Sequence, residues 1–335
     1  MRAAARRSKP LDLLVSLCTL WVSCGFFLDA WAHGHVPVET FFTPYHGVFY
    51  SGMLALAIVL AIFRRRIPRT YRLALVGVPV FILSGIGDLI WHRLLGVEEG
   101  VDALLSPTHQ GLGLGIFLLS SGPISSALNA RTQLRTLGDH LPLIFSLATW
   151  IELIHFGTAY AFDPGAWRPD APPSIRTFTP DYLTAVAMGY YKIGTGVLVV
   201  LFQSAIVAGF ALFAGTRFAL PFGAMTLVYL LGNGAAAAAF TNDTPLLATV
   251  LIMSLAAGLT ADVLIRRLRP RAESSAAYRL LGTLVPVAYF AAYFIVTALA
   301  GGVWWDWNVV LGATLWAGVI GFGLTLLAPP RAQTA

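Results

Sequence analysis

Apolar residues run through this chain in long blocks, broken at regular intervals by short polar and basic stretches. Ten such blocks fall near residues 11–32, 45–63, 72–94, 107–129, 139–161, 187–214, 218–240, 245–265, 277–299 and 306–328. Each approaches the roughly 20 residues that a helix needs to cross the hydrocarbon of a bilayer. The pattern predicts an all-α fold, a polytopic transmembrane helical bundle of about ten spans. Ser/Thr-Pro pairs recur at Thr43-Pro44, Ser106-Pro107, Thr179-Pro180 and Thr244-Pro245. Each opens or approaches an even-numbered block, where Ser or Thr caps a helix and Pro suits its first turn. The spans are therefore expected as repeated hairpins within a single integral membrane domain, residues 1–335. Trp304-Trp305-Asp306-Trp307 precedes the last block as an aromatic belt, and residues 162–181 form the one substantial loop.

Composition agrees. The 335 residues are 57% hydrophobic and 11% charged, against about 25% charged in soluble domains. The net charge of +6 does not argue for nucleic acid, because the basic residues punctuate apolar blocks and form no patch. Their positions orient the chain. With a cytoplasmic N-terminus, every Lys and Arg except Arg93, Arg168, Arg176 and Lys192 lies on the inner side. That asymmetry predicts an inner (plasma) membrane protein with both termini cytoplasmic, and the lipid bilayer is the first expected partner. Ala30-Trp31-Ala32 also fits the cleavage site of a signal peptide, an alternative in which the first span is removed. The length of that block and the adjacent Asp29 argue against it. Cys18 and Cys24 are six apart and match no zinc or redox spacing.

Polar chemistry concentrates at the outer ends of the first four blocks. Asp29 and His33 are four residues apart, on one helical face about 6 Å apart along the axis. His46 follows after a short loop that contains Glu39. A second copy follows in the same order: Asp88 and His92, then Glu98 and Glu99, then Ser106-Pro107-Thr108-His109. Ionisable side chains within spans are costly and point to function. Two ordered Asp-x3-His…His groups point to a metal site spread over a hairpin pair, residues 27–112, with residues 113–335 as additional spans. Imidazole with carboxylate suits copper, zinc, iron or nickel, and no thiolate is placed to make a soft site. Glu39, Glu98, Glu152 and His155 are candidates for the surrounding shell or for proton delivery. A structural polar pair is the other reading of Glu152 and His155. Glu98, Glu99 and Asp102 equally fit a solvated surface. Trp31 and Trp91 read as interfacial anchors, His35 as a solvated loop residue, and His140 lies at the other face.

Asp29-x3-His33-x12-His46, with Glu39-Thr40 and Phe42-Thr43-Pro44 before the last histidine, resembles the first metal motif of a metal-binding membrane subunit of the copper membrane monooxygenases, the methane and ammonia monooxygenase family. Asp88-x3-His92, Glu98-Glu99 and Ser106-Pro107-Thr108-His109 are similar to that family's second motif. Here Asp88 stands where the family has asparagine, and the interval from His92 to His109 is longer. The resemblance covers about a quarter of the chain. It implies copper held by Asp29, His33 and His46. It implies a neighbouring site framed by Asp88 and His92, open to His46 as a further member, with His109 close by. It further implies dioxygen activation toward a small apolar substrate or ammonia, and other membrane subunits or a homo-oligomer as partners. Two readings of other classes stand beside it. A metal- or proton-coupled transporter needs polar residues through to the inner side, where Asp262 and Lys192 are the main candidates. A haem-binding electron-transfer protein would use the histidines as axial ligands. No Ser-His-Asp arrangement, phosphate-binding loop or nucleotide motif is present.

Overall fold

The computed structural model describes residues 9–36, 41–98, 100–130, 136–158, 182–240, 244–270 and 275–327. Among these residues there are helices and turns but no strand. Nine of the helices are long and apolar enough to cross a membrane. The all-α bundle expected from the apolar blocks is what forms. Each block yields one helix, and the seventh is the exception in length. Its first residues, 218–223, are spent on a turn through Pro221 and Gly223, whose φ of +92° suits glycine. What remains is the 17-residue helix Ala224–Phe240, about 25 Å long at 1.5 Å per residue, short of the ~30 Å hydrocarbon. Proline early in the block and glycine just before the helix set that limit. Residues 162–181, with Thr179-Pro180, lie outside the described residues.

The helices cluster into two compact units. The first comprises Met1–Tyr160 with Leu227–Asn242. It contains α1 (Lys9–His35), α2 (Pro44–Phe63), α3 (Arg72–Leu95), the short α4 (Gly100–Leu105), α5 (Pro107–Leu128) and α6 (Leu137–Gly157). Residues 227–240 of α8 (Ala224–Phe240) complete it. Its core runs through Leu11, Val22, Phe26, Phe49, Leu56, Phe81, Ile116, Leu119 and Phe156. Two antiparallel hairpins, α1–α2 and α3–α5, pack through glycine. A Cβ on Gly25 would stand 2.6 Å from Phe49 Cα, and one on Gly77 would stand 2.8 Å from the Gly115 carbonyl oxygen. Small residues at such crossings let backbones approach where lipid supplies no hydrophobic drive.

Helix α6 runs parallel to α1 in a fixed register. Lys9 Nζ lies 2.7 Å from Asp139 Oδ1 at one end. Ser23 donates to Glu152 further along, and the rings of Phe26 and Phe156 are 4.3 Å apart beyond that. Near the Lys9 end, buried Asp12 accepts from Tyr71 Oη at 2.7 Å and from Ser126 Oγ at 2.9 Å. One carboxylate thus ties α1, α5 and the turn Arg69–Tyr71 together. Large apolar side chains such as Leu54, Ile58, Ile62 and Leu83 face outward, an arrangement suited to lipid contact.

The second unit comprises Ala161–Thr226 with Asp243–Ala335. It contains α7 (Tyr182–Arg217), α9 (Thr244–Leu268), α10 (Ser275–Ala300) and α11 (Trp307–Leu327). Asp262, buried in α9, caps the start of α8. It accepts from Met225 N at 3.0 Å, Thr226 N at 3.1 Å and Thr226 Oγ1 at 2.7 Å. The first turn of a helix leaves its N–H groups without partners, and a carboxylate satisfies them. Asp262 is therefore committed to structure rather than to a transport path. Asp262→Ala strands three donors and should cost about 3 kcal/mol at the usual penalty per unpaired buried group. The check is a lowered thermal midpoint in detergent, with Asp262→Asn recovering part of the loss.

Candidate metal centre

Asp29 and His33 project from the last turns of α1. His46 enters from the first turn of α2, and one residue both starts that helix and aims the imidazole. Thr43, extended at φ −107° and ψ 159°, accepts from His46 N at 3.1 Å, and Pro44 follows as the first helical residue. The same Thr43 Oγ1 lies 3.1 Å from His46 Nδ1. The far edge of the ring then faces Asp29, with His46 Nε2 3.3 Å from Asp29 Oδ2. His33 Nε2 stands 3.6 Å from that same oxygen.

The second hairpin repeats the arrangement. Asp88 and His92 occupy the last turns of α3, and His109 sits in the first turn of α5 behind Ser106-Pro107. His109 Nε2 is 3.1 Å and His92 Nε2 3.5 Å from Asp88 Oδ1. Thr108 donates to Asp88 Oδ1 at 2.9 Å, and its hydroxyl pairs with Ser106 Oγ at 2.9 Å. Here Ser106 braces the aspartate's partner instead of capping α5. The longer interval between His92 and His109 is folded into α4, whose Ala103 carbonyl lies 2.7 Å from His109 Nδ1. His92 Nδ1 lies 3.4 Å from the Gly96 carbonyl and 3.7 Å from Glu98 Oε2.

These contacts restrict protonation. His109 Nδ1 faces a carbonyl, which only accepts, so that nitrogen carries the proton. In a neutral imidazole Nε2 then offers a lone pair, and it points at a carboxylate oxygen. Two facing lone pairs need a cation between them, either a second proton or a metal ion. The spacing suits a metal. Two ligands each at about 2.1 Å from one tetrahedral ion are about 3.4 Å apart, and the four Nε2···carboxylate distances run from 3.1 to 3.6 Å. Within each triad all the ligand atoms lie within 4.8 Å of one another. Both triads are groups that could hold a metal ion.

The triads are neighbours. The His33 ring is 6.1 Å from His46, 6.1 Å from His92 and 6.5 Å from His109, centroid to centroid. Neither His33 nitrogen has a hydrogen-bond partner among the described residues. Phe41 stacks on His46 at 4.7 Å and reaches His92 at 6.4 Å, and Tyr50 lies 6.1 Å from His46 and 5.7 Å from Phe41. The cluster therefore has an aromatic wall that keeps its surroundings apolar.

All six expected ligands come together, and the grouping is sharper than the sequence implied. His109 completes the Asp88 group, while His46 belongs with Asp29. Glu98 stands beside His92, and both of its carboxylate oxygens are buried without a hydrogen bond among the described residues. Glu39 and Glu99 lie outside the described residues. Asp102 is exposed. Glu152 pairs with Ser23, six residues and about 9 Å along α1 before Asp29, and His155 is buried one turn further along α6. His35 ends α1 and stacks on Trp31 at 4.7 Å, and His140 hydrogen-bonds the Thr136 carbonyl at 2.8 Å. Sequence reasoning missed Thr108 and Tyr50. Tyr50 follows His46 by four residues, the same face of α2, which was the available signal. No protein-family model matches the chain, and neither a curated protein nor a solved structure matches it.

Proposed function

We propose that this is an integral membrane copper protein whose two neighbouring sites are held by Asp29, His33 and His46 and by Asp88, His92 and His109. The observation that carries the reading is the convergence of Nε2 atoms on carboxylate oxygens at 3.1–3.6 Å. The backing of Nδ1 in His46, His92 and His109 by oxygens holds each ring in that pose. Such outer partners fix ring orientation in metal sites. The sequence resemblance to a metal-binding membrane subunit of the copper membrane monooxygenases supports copper over zinc or iron. When bound, copper supplies dioxygen activation for oxidising a small apolar substrate or ammonia. The chain's own residues hold the ligands in place, and Phe41 and Tyr50 exclude water from one side of the cluster. In this reading both termini are cytoplasmic, the centre lies toward the outer face of the inner membrane, and further membrane subunits supply what this chain lacks. Carboxylates set among the imidazoles argue against a haem, which takes axial ligands on opposite faces of one plane.

Metal analysis of purified protein tests it, with wild type beside Asp29→Ala and His46→Ala. Stoichiometric copper in the wild type, reduced in both variants, is expected. A wild type without metal after copper-replete, chelator-free purification overturns the proposal, and stoichiometric zinc or iron in place of copper overturns the choice of metal.

A further inference from the structure

Away from the metal centre, α1 and α6 meet along two matched polar stripes. On α1 these are Asp12, Ser16, Thr19 and Ser23, spaced by four, three and four residues, and all are fully buried. On α6 they are Ser146, Thr149, Glu152 and His155, also buried. The contacts Lys9–Asp139, Ser23–Glu152 and Phe26–Phe156 hold one parallel register from end to end. Ser16 is thus level with Ser146, and Thr19 with Thr149.

Small hydroxyl residues alone would be explained by close helix packing. Ser16 and Thr19 do bond back to their own helix, to the Leu13 and Ser16 carbonyls at 2.9 and 3.0 Å. Glu152 is not explained that way. Its side chain is buried, one oxygen takes the Ser23 hydroxyl, and the other has no hydrogen-bond partner among the described residues. Ser146 Oγ and Thr149 Oγ1, on the same face within two turns, likewise have none. Buried polar atoms of this kind are satisfied by water or serve a function. Among the described residues, Cys24 on α1 lies close enough to interact electrostatically with Glu152, and His155 stands three residues further along α6. The Lys9–Asp139 pair stands about four turns away, at the end of the seam. A carboxyl buried inside a membrane bundle with one oxygen unsatisfied is a functional group by default, and ion paths and proton relays are built from such groups.

We infer that the α1–α6 seam is a proton route from the Lys9 end of the bundle toward the metal centre, with Glu152 as the group that carries the proton inside the membrane. Each hydroxyl along the seam, and water lodged between them, accepts one proton and releases its own. Glu152 changes from carboxylate to acid on arrival and returns to carboxylate on release. His155, one turn further along the same face, is the next acceptor. Only O–H and N–H bonds form and break, one positive charge advances, and nothing is oxidised or reduced. The destination rests on the copper reading, but the carrier does not.

Infrared spectroscopy of the full-length protein in phosphatidylcholine–phosphatidylglycerol vesicles tests this, with metal content measured on the same samples. The expected result is a carboxylic-acid carbonyl band that titrates with buffer pH and shifts in D2O. It is absent from Glu152→Gln, displaced in Glu152→Asp, and both variants keep their metal. Its hydrogen–deuterium exchange slows by roughly a hundredfold in Ser16→Ala/Thr19→Val, the lower range for removal of a positioned proton-transfer group. No titrating band that depends on Glu152 overturns the inference, as does exchange at the wild-type rate in the double variant. A band that follows sodium at fixed pH also overturns it and marks a cation site. A wild type that lacks metal yet shows the seam-dependent band keeps the proton carrier and removes its proposed destination.

Discussion

On the proposed two-site reading, Asp88→Ala is expected to remove one metal ion and leave the other in place. Asp88 Oδ1 is the point on which His92 Nε2, His109 Nε2 and the Thr108 hydroxyl converge, at 3.5, 3.1 and 2.9 Å. Without it two imidazoles remain, and the one carboxylate of the triad is gone. Outer-partner losses alone cost about 10- to 100-fold in metal affinity, so loss of a ligand should exceed about 100-fold. The Asp29 triad shares no ligand with this one. The expected copper content is therefore two ions per chain in the wild type, one in Asp88→Ala, one in Asp29→Ala and none in the double variant. Asp88→Asn is the instructive partner, because it keeps the volume and can still accept from Thr108. It should retain the ion more weakly. His33→Ala should weaken the Asp29 site, to which it belongs, and spare the Asp88 site. Acid works in the same direction at both triads. Imidazoles bind metal only when unprotonated, so affinity falls as pH falls. Copper per chain by elemental analysis, with isothermal titration of the stripped protein, checks each of these, and equal loss of both ions in Asp88→Ala would sink the two-site assignment.

Gly25→Val should empty the Asp29 site without touching a ligand. A Cβ at residue 25 would lie 2.6 Å from Phe49 Cα and 2.8 Å from Phe49 N. Both atoms are backbone and cannot turn aside, so α1 and α2 must part. His46 sits one turn before Phe49 on α2, and its 3.3 Å approach to Asp29 opens with the hairpin. Gly115→Val does the same to the other hairpin, because its Cβ would meet Phe81 Cβ at 2.8 Å and Phe81 Cα at 2.9 Å. That change spares Asp29 and separates Asp88 from His109. Overpacking costs about 1–3 kcal/mol, and a clash with backbone belongs at the upper end. A Cβ on Gly113 would find nothing within 4 Å, so Gly113→Ala should leave both ions and the thermal midpoint unchanged. The readout is which ion is lost, followed in each single variant and in combination with Asp29→Ala or Asp88→Ala.

The helices were legible because hydrocarbon thickness dictates the length of an apolar run, and each block produced one. The seventh fell short because Pro221 and Gly223 spend its beginning on a turn. The candidate ligands were legible for a different reason. Asp29 with His33 and Asp88 with His92 are four apart, so a single helix brings each pair together whatever else the chain does. The third member of each group depends on how a hairpin closes. Thr43-Pro44 announced the position of His46, but the role of Ala103 in aiming His109 did not show, because a backbone carbonyl leaves no trace in residue identity. Glu152 was visible as an anomaly, and its partner was not. Pairing it with Ser23 requires the parallel register of α1 and α6, a relation between helices far apart in sequence that no local period encodes.

The packing of α8 on α6 has a consequence for biosynthesis. A Cβ on Gly232 would meet Ile151 Cβ at 2.9 Å, so this glycine is what lets residues 227–240 lie close against α6 within the first unit. The chain is made from its N-terminus. All six candidate ligands, and the seam beneath them, leave the ribosome well before Gly232 does. Until then Ala148 and Ile151 lack the cover that the backbone at Gly232 gives them. The first unit closes only when a segment translated some seventy residues later, by the spacing of Gly157 and residue 227, returns to cover them.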